Sequence, residues 1–229
     1  MFQQTFFAIG KWLLANALVD IANIDIEKLA DDACRLGNFD TVVFMWESKI
    51  LPLSYLQANE FLPLQLACQK GNFDFVCFYW NQRPLTEQEM FETMVFLQAC
   101  YGGDLQIVTF FASKFKLQTI QHFHDSFKAA CERGHLSLVQ FLWDYFRPNK
   151  TFFMLDCLEC ACRRGDLDMI LFLLQKIPFE KNRKLLSWAI QSKKAKIIRF
   201  LWNTNRFSRS DMRSSVIESA WWWVGSRNN

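Results

Sequence analysis

Glycine and proline are scarce, 8 and 5 among 229 residues, while 51% of the chain is apolar. That combination excludes low-complexity and disordered classes over most of the length, because there is enough apolar surface to offset the entropy of ordering. Long hydrophobic runs are missing too: no window reaches the roughly 18 to 20 residues that a membrane-spanning helix needs. The start, Met1 to Leu14, is apolar but has no basic leader and is broken by Lys11, so it does not read as a secretory signal. Neither sign of charge is in excess, and a net +3 is too small by itself to argue for nucleic acid as a partner. The chain also has no Gly-rich phosphate loop, no G-x-S-x-G and no H-E-x-x-H, which weighs against an enzyme.

What the chain does have is internal repetition. The run Ala130-Cys131-Glu132-Arg133-Gly134-His135-Leu136-Ser137-Leu138-Val139-Gln140-Phe141-Leu142 has counterparts anchored at Gly37, Gly71, Gly103, Gly165 and, with glycine replaced, Lys193. Successive anchors are 34, 32, 31, 31 and 28 residues apart. Four residues before each anchor stands alanine (Ala33, Ala67, Ala99, Ala130, Ala161, Ala189), and seven after it phenylalanine (Phe44, Phe78, Phe110, Phe141, Phe172, Phe200). Self-similarity at this period marks a stack of supersecondary units.

Apolar positions fall at helical spacing on both sides of each anchor. The helix before it carries an apolar residue seven back (Ala30, Leu64, Phe96, Phe127, Leu158, Leu186) and a small Ala-Cys pair that allows close approach of a neighbour. The helix after it is apolar at plus 2, 4, 5, 7, 8 and often 9, so it should be covered on most sides. The glycine supplies the positive φ that ends the first helix. Pro52, Pro84, Pro148 and Pro178 follow an anchor by 13 to 15 residues, where a second helix must stop. Thr86-Glu87-Gln88-Glu89 reads as a capping box, and Asp125-Ser126 and Asp156 as helix caps.

Five of the eight cysteines, Cys34, Cys68, Cys100, Cys131 and Cys162, share one repeat position. Equivalent sites in a stack are about 10 Å apart, beyond disulfide reach. They are therefore expected as small buried hydrophobes in a reducing compartment, cytoplasmic or nuclear.

Leu62-Pro63-Leu64-Gln65-Leu66-Ala67-Cys68-Gln69-Lys70-Gly71 resembles the Thr-Pro-Leu-His-x-Ala-Ala-x-x-Gly signature of ankyrin repeats, and Gly134-His135-Leu136-Ser137-Leu138-Val139 is similar to its Gly-His-x-x-Val-Val continuation. The resemblance spans about residues 26 to 220 and draws its specificity from repetition. No copy holds the full Thr-Pro-Leu-His, and the Asp-Gly hairpin loops of the family's fingers are missing, so shorter or irregular loops are expected there. The resemblance implies an all-α, ankyrin-like solenoid of about six helix-turn-helix repeats. The array occupies 26–203, with an N-terminal capping helix within 1–25 and a C-terminal half-repeat cap and tail in 204–229. Divergent, aromatic-rich arrays of this kind resemble those of effectors from intracellular bacteria and of large DNA viruses, which implies a host-directed effector acting in the host cytosol.

Three constellations could carry chemistry. Cys157-x-x-Cys160-x-Cys162, with Cys131 one repeat away, is the most metal-like, but Cys160 and Cys162 are two apart on one helix and face different sides. Packing is the expected role, with no metal and no cofactor. Cys131 and His135 could form a nucleophile and base for an enzyme or pseudo-enzyme, although no third orienting group is evident. His122 and His124 are expected as solvated loop residues.

What remains is surface. The resemblance implies that the residues just before each anchor face a concave groove where partners bind. In this sequence they form a mostly basic ladder with an aromatic at its middle: Arg35, Lys70, Tyr101, Arg133, Arg163 and Arg164, followed by Lys193 and Lys194. The expectation is a monomeric, non-catalytic protein-protein interaction module holding an acidic protein partner. The same basic face binding nucleic acid or acidic lipid is the alternative. Trp46, Trp80, Trp143 and Trp202, nine after their anchors, are expected between repeats, whereas Trp221-Trp222-Trp223 reads as a cap or a contact.

Overall fold

The computed structural model describes residues 25–52, 55, 61–115, 123–146, 154–176 and 183–203. The expectations for the capping segments 1–24 and 204–229, for His122, Pro148 and Pro178, and for the side chains of Leu186 and Trp202 lie outside the described residues. Among the described residues there are thirteen helices and no strand, and no helix is long and apolar enough to cross a membrane. The chain divides into two compact units, Met1–Ile120 and Gln121–Asn229. The boundary falls inside the array that the repeat pattern carries through 26–203.

The first unit contains α1 (Ile26–Leu36), α2 (Phe39–Glu47), α3 (Leu62–Lys70), α4 (Phe73–Gln82), α5 (Glu87–Glu92), α6 (Val95–Gly102) and α7 (Leu105–Lys114). The second contains α8 (Phe123–Arg133), α9 (Leu136–Phe146), α10 (Met154–Arg164), α11 (Leu167–Lys176), α12 (Arg183–Gln191) and α13 (Ala195–Asn203). Each anchor separates two helices that pack on each other, giving three helix-turn-helix pairs per unit. In the first unit α1, α3 and α6 pack in sequence, as do α2, α4 and α7; in the second, α10 lies between α8 and α12.

The turns form for the reason the glycines suggest. All five anchor glycines have positive φ, and Lys193 takes φ 57° in the sixth turn. In three of the six turns the first residue after the turn then starts the second helix by supplying an oxygen acceptor to its open N–H groups. Asn72 accepts from Phe75 N at 2.9 Å, Asp104 from Gln106 N at 2.7 Å, and Asp166 from Met169 N at 3.0 Å.

The repeat alanines and cysteines are buried throughout, and the apolar residue seven before the anchor is buried at Ala30, Leu64, Phe96, Phe127 and Leu158. The second helices are covered on most sides, as expected, with only two to four exposed residues in each of α2, α4, α7, α9 and α11. Their core side is narrow: plus 4, 5 and 8 are buried at Phe75, Val76 and Tyr79, at Ile107, Val108 and Phe111, and at Leu138, Val139 and Leu142. The phenylalanine at plus 7 is half-buried in all six copies. In one copy this ring packs sideways on the preceding repeat: Phe110 lies edge-on to Phe73 at 5.9 Å and to Trp80 at 5.4 Å. Trp80 also meets Phe115 at 5.6 Å, which puts it between repeats as expected.

Two local readings are corrected. Asp125 and Asp156 are not caps; they lie within the first turns of α8 and α10, where a carboxylate favours the positive end of the helix. The Thr86 capping box is present, with Thr86 N donating to Glu89 at 2.9 Å and Glu89 N donating to Thr86 at 3.2 Å. It opens the additional helix α5, however, and the helix before Gly103 starts afresh after Met94, which has φ 55°. The break is held by the Thr93 carbonyl, which accepts from Gln65 Nε2 at 2.7 Å, and by the Thr93 hydroxyl, which donates to the Glu89 carbonyl at 2.6 Å. This connection is thus helical, with no hairpin in it. The preceding connection is pinned by buried Tyr55, whose hydroxyl donates to Asp31 on α1 at 2.8 Å.

Candidate partner-binding surface

The ladder residues sit where the first helices end, a position that suits cations because unpaired carbonyls and the helix dipole leave partial negative charge there. The six named residues fall three to a unit. In the first unit, side-by-side packing of α1, α3 and α6 gives Arg35, Lys70 and Tyr101 successive helix ends; Arg35 and Lys70 are exposed and Tyr101 half-buried. In the second, Arg133 ends α8 while Arg163 and Arg164 end α10, all three exposed.

Some of these cations have work inside the chain. Arg163 is paired with Glu159 at 2.6 Å, one helical turn away. Arg164 donates from its guanidinium to the Glu132 carbonyl at 3.1 Å, and so caps α8 from the next repeat. Its path explains the bare turn at Gly134. A Cβ there would stand 2.6 to 2.9 Å from the guanidinium, and the φ of +79° already disfavours a side chain. Lys70 crosses Gly37 in the same way, and Lys194 crosses Gly165. Sequence reasoning missed this use of the ladder. The available signal was a long side chain beside the anchors at Gly71, Gly165 and Lys193, each paired with the glycine one repeat earlier.

A second feature had no sequence signal. Gly102, just before the αL turn residue Gly103, is helical, and a Cβ on it would meet the Cys68 carbonyl oxygen at 2.3 Å and that of Gln69 at 2.8 Å. The missing side chain lets the end of α6 lie directly against the end of α3. The first unit also has an open cleft of about 540 Å³ lined by Trp46, Glu47, Lys49, Leu51, Phe78 and Gln82.

The thiol constellations assemble only in part. Cys131 and Cys157 are fully buried, and the neighbouring Cys157 thiol together with burial pushes the Cys131 thiol far above its ordinary value. A nucleophile needs the reverse, an accessible thiol with a depressed pKa, whereas Cys131 is buried and its thiol raised. Cys160 is half-buried, donates to the Glu132 carboxylate at 3.7 Å, and is pushed up to about 11 by burial and that carboxylate. Among the described residues no three of His, Cys, Asp and Glu converge on a metal position. His124 lies half-buried on α8, beside Phe123, and not on a loop. No known family model and no curated protein matches this chain.

Proposed function

We propose that this chain is a non-catalytic, ankyrin-like interaction module that holds an acidic protein partner along the ends of its first helices. The observation that supports the reading is repetition of geometry: in each unit first helix packs on first helix, so their ends make a row and not a pocket. A row fixed by packing costs little ordering entropy on binding, which is why repeat arrays serve as recognition scaffolds. Arg35, Lys70, Tyr101 and Arg133 offer charge and one aromatic anchor to the partner. Arg163 and Arg164 contribute charge while remaining tied to α8 and α10. All eight cysteines are free thiols, the form that a reducing cytoplasmic or nuclear compartment maintains. A host-directed role fits the same scaffold.

The test is affinity capture with the full chain against the variant Arg35→Glu, Tyr101→Ala, Arg133→Glu, leaving Arg164 in place because it crosses Gly134. Loss of a specific partner with unchanged far-UV circular dichroism is the expected result. Undiminished capture of that partner refutes the assignment of the row as the contact surface.

A further inference from the structure

We propose that the final described helix pair, α12 and α13, carries a second surface, one that binds the phosphate backbone of a nucleic acid. The small net charge conceals a strong segregation. Nine of the chain's 26 cations, and none of its 23 acidic residues, lie between Glu180 and Asp211. Four of these cations, Lys193, Lys194, Lys196 and Arg199, are exposed along the turn and first two turns of α13. No ion pair between described residues involves any of them. Even the helix-starting position, filled in other repeats by Asn72, Asp104 and Asp166, holds Lys194, so an acid is missing where local stability would favour one.

The nature of the partner follows from what accompanies the charge. A protein partner needs a desolvated apolar or aromatic anchor, and among the described residues of 183–203 no large apolar side chain is exposed. A bilayer needs apolar residues to insert besides the electrostatic attraction, but Ile197 and Leu201 of α13 are fully buried in the unit. Phosphate backbones are held by charge alone, through release of condensed counterions. This surface shares none of its four cations with the Arg35, Tyr101 and Arg133 contacts, so the two readings can fail separately.

The experiment is fluorescence anisotropy of a labelled 20-base-pair DNA duplex with the full chain, titrated with salt. Four engaged cations give a slope of log K against log salt of about −3.6, at about −0.9 per phosphate contact. The variant Lys193→Asn, Lys196→Gln, Arg199→Gln should reduce that slope to about −0.9. Lys196→Arg with Arg199→Lys should retain wild-type binding, which separates charge from folding. Absence of duplex binding at low salt overturns the proposal. So does an unchanged slope in the neutralised variant, and so does binding to vesicles containing phosphatidylserine, or to polyglutamate, as tight as binding to the duplex.

Discussion

Replacing Gly102 by alanine sets two physical effects of opposite sign against each other. Helix propensity favours alanine over glycine in a helix interior by about 1 kcal/mol, and Gly102 is helical within α6. The structure opposes this, because the new Cβ would stand 2.3 Å from the Cys68 carbonyl oxygen and 2.8 Å from that of Gln69. These are backbone atoms at the end of α3 and cannot rotate aside, so the end of α6 must retreat by about 1 Å, and overpacking of that kind costs about 1–3 kcal/mol. The worked outcome is a net loss of about 0–2 kcal/mol after propensity is credited. Urea unfolding should show a lower midpoint, and hydrogen exchange should quicken at the ends of α3 and α6 with little change in the second unit. Gly71→Ala is the comparison: its Cβ would meet Asp104 at an ordinary 3.5 Å, so its cost is that of positive φ alone, about 1–2 kcal/mol. A raised midpoint in Gly102→Ala, with unchanged exchange at α3, would refute the close approach.

Lys193→Gly should stabilise the chain by about 1 kcal/mol in denaturant titration, because the native φ of 57° costs a side chain roughly that much. Thr86→Ala should lower stability by about 0.5–2 kcal/mol through loss of the α5 cap. In that variant Glu89 should stay below its ordinary range in a carboxylate titration followed by NMR, because the residue-86 amide that chiefly holds it there is retained. Native thiol labelling should reach only Cys77 and Cys160, the two half-buried cysteines, and the Cys160 rate should climb about tenfold per pH unit toward about 11. Burial raises Cys34 and Cys162 from the ordinary value of 9.0 to about 12. Their unfolded forms ionise first, so stability is full below pH 9 and falls as pH rises toward 12. The loss is about 1.4 kcal/mol per pH unit for each thiol, and a flat alkaline profile would contradict the burial.

The helix pairs were legible because their signal is local and repeated. Positive φ at Gly134, the small Ala130-Cys131 pair and apolar spacing each follow from the residue itself. What escaped the sequence depends on a neighbour. Nothing in the word Tyr101-Gly102 tells that the glycine touches a carbonyl one repeat earlier, and the break at Thr93 and Met94 rests on a hydrogen bond from Gln65, 28 residues away. The ladder was legible as charge but not as structure. The sequence gives no sign that Arg163 answers to Glu159 or that Arg164 reaches the end of α8. Half-burial of the plus-7 phenylalanines escaped because hydrophobic periodicity does not distinguish a ring in the core from one lying against a sibling ring.

The side chains laid over the glycine turns all run the same way. Lys70 covers the turn before it, as do Arg164 and Lys194, and none reaches forward. Within each unit these pairs therefore have a head and a tail: the later repeat lends a roof to the turn at Gly37, Gly134 or Gly165. Removing the repeat that carries Lys194 unroofs the Gly165 turn left behind, whereas removing the first repeat leaves the roofs over Gly134 and Gly165 in place. Deletion series run from opposite ends should accordingly lose cooperativity at different rates, with the C-terminal series failing first.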